Sequence, residues 1–191
     1  MTTELGRPRD SRIDDAVLRA TVELIGDAGY ADLSVDAIAK RAGTSKPAVY
    51  RRWPSKAHLV HEAVFPLGEH TALPVTGSLH GDVREMLRRT ARVLNTPAAR
   101  AALPGLVGEM AADPTLHTAL LERFGDILTR GMGDYLAAAA ARGEVRADVT
   151  APDLAEAIAG LTFVALLNRG AALDDAWVER TTTLITRGIS A

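Results

Sequence analysis

The 191-residue chain contains no cysteine, which excludes a disulfide framework, a thiolate metal site and a cysteine nucleophile. It shows no phosphate-cradling glycine loop, no zinc-helix motif and no nucleophile elbow, so an enzyme is not expected and neither is a cofactor. His58 and His61 stand three apart, a spacing that can hold a metal. No third ligand is evident beside them, so they read as a solvated helix face and no metal is assigned. No stretch approaches the twenty or so unbroken apolar residues of a membrane span. The polar opening from Met1 to Arg12 lacks the apolar core of a secretory signal. A soluble, cytoplasmic protein that does not engage a membrane is expected. There is no sequence repeat, and no low-complexity tract beyond the short alanine run Ala137–Ala141.

No run alternates with period two, whereas helical periodicity recurs along the chain. With 47% hydrophobic residues, the sequence predicts a packed all-α protein of about nine helices. Ser11 and Asp14 have capping-box spacing, and Ile13, Val17, Ala20, Leu24 and Ala28 form one stripe that stops at Gly29. Ser34 opens a short helix that ends at Gly43, Ser45 opens another with Pro47 in its first turn, and a fourth runs from Lys56 to Phe65. Prolines and glycines between 66 and 77 mark a linker, separating an N-terminal unit (11–65) from a helical body (78–191). In that body Pro104-Gly105 should break or kink a helix begun at Thr96. One long helix is expected from Asp113 to Arg142, with Leu116, Leu120, Phe124, Ile127 and Tyr135 as its stripe.

Charge is uneven. From Lys40 to Lys56 there are six cations and no acid, and every lysine lies there, while twelve arginines face fifteen acids beyond Phe65. A local basic stretch on a chain of net charge −2 points to a polyanion site. The same segment, Ser34–Trp53, carries a helix-turn-helix pattern. Ala39 is small where two helices cross, Gly43 suits a tight turn, and Ile38, Ala42 and Val49 are placed to bury. The helix that follows would enter a major groove, with Lys46, Pro47, Ala48, Tyr50, Arg51 and Arg52 projecting outward. Ser34, Thr44, Ser55, Tyr50 and Lys56 are candidates for phosphate contacts, and Ser45 joins them in the DNA-binding set. The basic Gly6-Arg7-Pro8-Arg9 is either an arm reaching a minor groove or an ordinary tail.

Residues 11–65 resemble the DNA-binding domain of the TetR repressor family. Leu33 to Ala39, Thr44 to Lys56, and above all Tyr50-Arg51-Arg52-Trp53-Pro54-Ser55-Lys56 are similar to its Tyr-x-x-Phe-x-x-Lys ending. Trp53 stands for the usual Phe, and Arg52 where many members carry His. The resemblance implies an all-α homodimer with a three-helix DNA-binding head and a larger ligand-sensing and dimerisation body. It implies a repressor of double-stranded operator DNA, released by a small-molecule effector. An architectural DNA binder without an effector is the alternative class. The helix following Thr150 is apolar on nearly every face, which calls for burial on all sides. Ala155, Ala159, Thr162 and Leu166 are its candidate contacts with a second subunit. For an effector pocket the bulky, adaptable side chains of the body are candidates: Met86, Met110, Phe124, Tyr135, Phe163 and Trp177, with His117 as a polar group.

Overall fold

The computed structural model describes residues 11–67, 72–124, 130–169 and 172–191. It contains ten helices and, among the described residues, no strand. The N-terminal unit comprises α1 (Ser11–Asp32), α2 (Val35–Arg41), α3 (Lys46–Tyr50) and α4 (Lys56–Val64). The body comprises α5 (Leu79–Leu94), α6 (Pro97–Ala112), α7 (Pro114–Glu122), α8 (Met132–Ala141), α9 (Ala151–Arg169) and α10 (Asp175–Ile189). The Gly6–Arg9 arm, Ile127 and part of the linker lie outside the described residues.

Helix starts follow the side chains that can satisfy free backbone N–H groups. Ser34, Ser45, Ser55, Ser78, Thr96, Asp113 and Asp174 all accept from an N–H in the first turn. Ser11 lies inside α1, and Asp14, expected to close a capping box with it, instead takes the guanidinium of Arg52. Gly29 has φ 75° and interrupts α1. This left-handed residue turns the chain so that Tyr30 points inward and is buried.

Two expectations about the body need correcting. Pro104-Gly105 does not break its helix, because α6 runs unbroken from Pro97 to Ala112. The Pro104 ring lies on the exposed side, while Ala98, Ala99, Ala102 and Leu106 bury the opposite face. A proline inside a helix costs about 3 kcal/mol, which the buried face must outweigh. Gly105 has a separate purpose: a β-carbon there would overlap the Tyr30 ring. Its absence lets α6 press directly against the end of α1.

The long helix expected over Asp113–Arg142 is two. α7 ends at Glu122, and Arg123 and Phe124 form a turn. Both side chains reach across to α4: Arg123 hydrogen-bonds His61, and the Phe124 ring meets the His61 ring edge-on at 5.5 Å. Those tertiary contacts replace the continuing helix.

α5 is the central strut. α6, α9 and α10 pack on it, with Val83 and Leu87 fully buried. The buried threonines of α10 are satisfied within the helix, Thr182 and Thr186 donating to the carbonyls four residues back. The linker's far end is tied down as Asp82 accepts from the Thr76 N–H and hydroxyl, at 2.6 and 2.8 Å. α9 is long and apolar enough to cross a membrane by length and composition alone, with 22% of Ala151–Asn168 buried, although Asp153 and Glu156 interrupt its apolar run, as the sequence indicated. Leu154, Ile158, Thr162 and Leu166 form its inward row.

Because Gly105 leaves room for Tyr30, Gly105→Ala should force the ring aside and lower stability by about 1–3 kcal/mol. Urea or thermal unfolding measures this. An unchanged midpoint would mean that the Tyr30 ring is free to shift.

Candidate nucleic-acid interface and ligand cavity

The helix-turn-helix is built by backbone chemistry that the sequence announces. α2 ends in a Schellman motif in which the Thr44 N–H donates to Ala39 O at 2.9 Å and the Gly43 N–H to Lys40 O at 3.3 Å. This requires the left-handed φ of 66° at Gly43. Ile38 and Val49 are buried, as their spacing predicted, whereas Ala42 is only half-buried; Ala39 and Trp53 are buried with them.

The outer face of this unit is Ser34, Ser45, Lys46, Pro47, Tyr50 and Arg51, all exposed, with Thr44 half-buried beside them. Lys40 and Arg41 flank it, also exposed. Lys46 is held over α2 by Asp36 at 2.6 Å, and Arg41 by Glu23 at 2.9 Å. Both pairs are solvent-exposed and therefore weak, so a phosphate can displace the acid.

Two residues expected on that face turn inward. Ala48 is only 8% exposed, because it sits one position before Val49 on a helix of five residues pressed against the core. Arg52 bonds Asp14 on α1 and the Ala48 carbonyl, which makes it a clasp between α1 and the end of α3. Lys56 also has internal partners. Its Nζ donates to the Tyr30 carbonyl at 2.9 Å and stands 4.3 Å from the Tyr30 ring centroid, a cation–π contact. It remains half-buried.

A cavity of about 470 Å³ opens among α4, α5, α6 and α9. Met86, Thr90 and Val93 line it from one face of α5; Leu103, Leu106, Val107 and Met110 line it from α6. His61 contributes from α4 and Phe65 from just beyond its end, and Phe124, Met132, Ile158, Ala155 and Ala159 complete much of the wall. Of the expected pocket residues, Met86, Met110 and Phe124 are there. The other four are elsewhere. His117 is exposed, Trp177 is core on α10, Phe163 is half-buried outside the lining, and Tyr135 is half-buried outside it on α8. Ala155 and Ala159, candidates for a subunit contact, line the cavity. Thr162 and Leu166 are inward, Thr162 with no exposed surface at all. Small and apolar residues meet both the core and the cavity on this helix, and only side-chain direction separates the two.

Sequence reasoning missed His61, Arg89 and the α6 wall. The signal for α6 was present, since Leu103, Leu106, Val107 and Met110 follow i, i+3, i+4, i+7 spacing. For His61 there was none, because a histidine on a helix reads as solvated until something packs on it. Here it is buried between the Phe65 and Phe124 rings. Its Nδ1 lies 3.0 Å from Arg123 Nη1, and since arginine only donates, Nδ1 accepts and the neutral ring carries its proton on Nε2. Burial, and then the Arg123 charge, hold this imidazole down at about 4. His58, instead of sharing a metal with it, bonds the Ser55 hydroxyl at 2.9 Å.

Two family models cover most of the chain. Residues 17–63 match the model described as bacterial regulatory proteins, tetR family, and residues 73–185 the tetracyclin repressor-like C-terminal domain. A DNA-binding transcriptional repressor TetR of Mycobacteroides abscessus is 34% identical over 176 residues, covering 86% of this chain and 87% of that protein. An uncharacterized HTH-type transcriptional regulator of Mycobacterium tuberculosis is 31% identical over 80% of the chain and 73% of its own length. Among solved structures, the TetR family transcription regulator SCO0332 superposes with a TM-score of 0.70 at 28% identity, covering 94% of this chain and all of that one.

The geometry separates two neighbouring arginines. Arg52→Ala should lower the unfolding free energy by roughly 1–3 kcal/mol, and with it the midpoint, by removing a partly buried ion pair. Arg51→Ala should leave the midpoint unchanged, yet weaken DNA binding and reduce its salt slope by about one. Parallel melting and salt titrations check both, and a shared phenotype would reject the division of labour.

His61 makes stability depend on pH. Its pKa is depressed in the fold, so the stabilisation is fully present above the ordinary histidine value of 6.5 and drains away as pH falls toward 4. Between those limits the wild-type midpoint should drop more than that of His61→Phe. Equal slopes in unfolding at a series of pH values would show that His61 is not buried neutral.

Proposed function

Since the chain belongs to the TetR family of DNA-binding transcription regulators, we propose that it is a repressor. It binds a palindromic operator as a homodimer and is released by a small-molecule effector. The observation that carries this reading is the position of α4. One end, at Lys56, abuts the helix-turn-helix, and the other, at His61 and Phe65, forms a wall of the cavity. A ligand that repositions α4 therefore moves the DNA-reading head by its differential affinity for the two states. Ser34, Thr44, Ser45, Lys46, Pro47, Tyr50 and Arg51 serve as the DNA-facing set. Lys56 adds a phosphate contact through the N–H groups that Tyr30 does not use. The two units, 11–65 and 78–191, act as reader and sensor, and the protein works in the cytoplasm, where its operator is.

The exposed apolar row Leu161, Val164 and Leu167 on α9, at 38%, 51% and 53%, supports dimerisation through the last two helices, with Leu184 of α10 exposed at 65%. Leaving such a face in water forgoes about 25 cal/mol per Å² of apolar area. A second copy of the chain would cover it and set two recognition helices about 34–36 Å apart, one DNA turn.

Sedimentation and operator binding test the assignment together. The wild-type chain should sediment as a dimer and prefer its selected operator over random duplex by roughly 10³ or more. Val164→Asp with Leu167→Asp should give a folded monomer that has lost most operator affinity, since both residues are exposed and not core. A dimer that persists would move the interface elsewhere. Equal affinity for all duplexes would favour an architectural protein over a repressor.

A further inference from the structure

The basic run from Lys40 to Lys56 holds no acid of its own, yet the fold brings three acids to it. Asp14 on α1 takes Arg52, Glu23 on α1 takes Arg41 at 2.9 Å, and Asp36 on α2 takes Lys46 at 2.6 Å. The first pair is largely sheltered, whereas the other two are exposed. These two exposed pairs occupy different places. Arg41 ends α2, the first helix of the helix-turn-helix, which crosses the phosphate backbone. Lys46 opens α3, the second helix, whose first residues stand nearest the base edges. Lys46 uses one of its three N–H donors on Asp36, and the Asp36 side chain remains 65% exposed beside it.

We propose that Asp36 determines sequence specificity as a positioning residue: it holds Lys46 as a neutralised, directed donor that reads a base edge and is poorly attracted to phosphate. This rests on reading the protein as an operator-binding repressor and adds how one acid sharpens its choice of sequence. The two kinds of DNA contact depend differently on charge. Attraction to phosphate follows net charge, and an ammonium beside a carboxylate has almost none. A phosphate that displaces Asp36 also strands that carboxylate next to a polyanion. There it gathers a cation in place of the one the DNA released, so the exchange gains little from counterion release. A hydrogen bond to a base edge follows direction instead. The two N–H groups that Asp36 leaves on Lys46 can still donate to adjacent acceptors such as guanine N7 and O6. The ion pair also narrows the freedom of a long side chain before DNA arrives, which lowers the cost of ordering it. The hydrogen bond to Asp36, and then its charge, hold the Lys46 pKa above the usual lysine value, so all three donors stay in place. Non-specific affinity, which is almost wholly electrostatic, is thereby held down while base reading is kept.

Fluorescence anisotropy of the whole protein on two labelled duplexes of equal length, a selected operator and a random sequence, tests this at several salt concentrations. Asp36 and Lys46 are both exposed, so their variants keep the packed head, which thermal melting verifies. Asp36→Asn should bind the random duplex about threefold tighter or more, with a salt slope steeper by about one. It should also lower the operator-to-random ratio about fivefold or more. In a Lys46→Gln background the same substitution should change neither slope nor ratio. Glu23→Gln removes an equal charge beside the helix that crosses the backbone, and should tighten both duplexes alike with the ratio unchanged. An unchanged ratio in Asp36→Asn overturns the proposal. So does an equal fall in Glu23→Gln, or an effect that survives Lys46→Gln. A wild type that discriminates while these outcomes fail leaves the repressor reading standing; a wild type that binds both duplexes equally overturns that reading and this inference with it.

Discussion

The packing of Tyr30 against Gly105 is the contact on which the remaining geometry hangs. Gly29 turns the end of α1 with a positive φ, and Tyr30 enters the interface between the N-terminal unit and α6. The same residue receives Lys56 twice, through its carbonyl and over its ring. One side chain thus ties together the end of α1, the start of α4 and the middle of α6. Burial pushes the Tyr30 hydroxyl's pKa well above the usual tyrosine value, with the nearby Glu109 carboxylate adding to the effect. It stays a neutral phenol, and the joint does not acquire a second charge beside Lys56.

From that joint the two functional ends of α4 follow. Its start is fixed beside the helix-turn-helix by Lys56, and its far end by the His61 ring against Phe65 and Phe124. A nine-residue helix is a stiff rod at this length, so displacement at one end is displacement at the other. The interruption of the α7–α8 segment has the same origin. Arg123 and Phe124, in the turn that ends α7, reach α4, and Phe124 in doing so lines the cavity. What looks like a broken helix in one element is a wall for another.

α9 illustrates how one composition serves three surroundings. Its inward row meets α5, Ala155 and Ala159 meet the cavity, and Leu161, Val164 and Leu167 meet solvent. A helix so evenly apolar carries almost no amphipathic signal. The sequence therefore announces that the helix must be covered, without saying by what on each side. For this reason the candidate subunit contacts fall on two of these surroundings, Thr162 and Leu166 in the inward row and Ala155 and Ala159 beside the cavity.

The all-α class, the helix starts and the helix-turn-helix were legible in the sequence because they are local. A serine or aspartate caps the next turn, a glycine at positive φ ends one, and Ala39, Gly43 and Val49 act within a twenty-residue window. The exposed set Lys46, Tyr50 and Arg51 could be read in the same way. Burial of Ala48 and the capture of Arg52 could not, since Asp14 lies 38 residues away in sequence. The cavity was legible only where a face repeats, as along α6. His61 and Arg123 are 62 residues apart, and no periodicity brings them together. Sequence determined which segments would be helices and where the helix-turn-helix lies, because hydrogen bonds within a turn decide that. Tertiary structure alone decided which side chains share an interior, because that depends on distances the chain closes only when it folds.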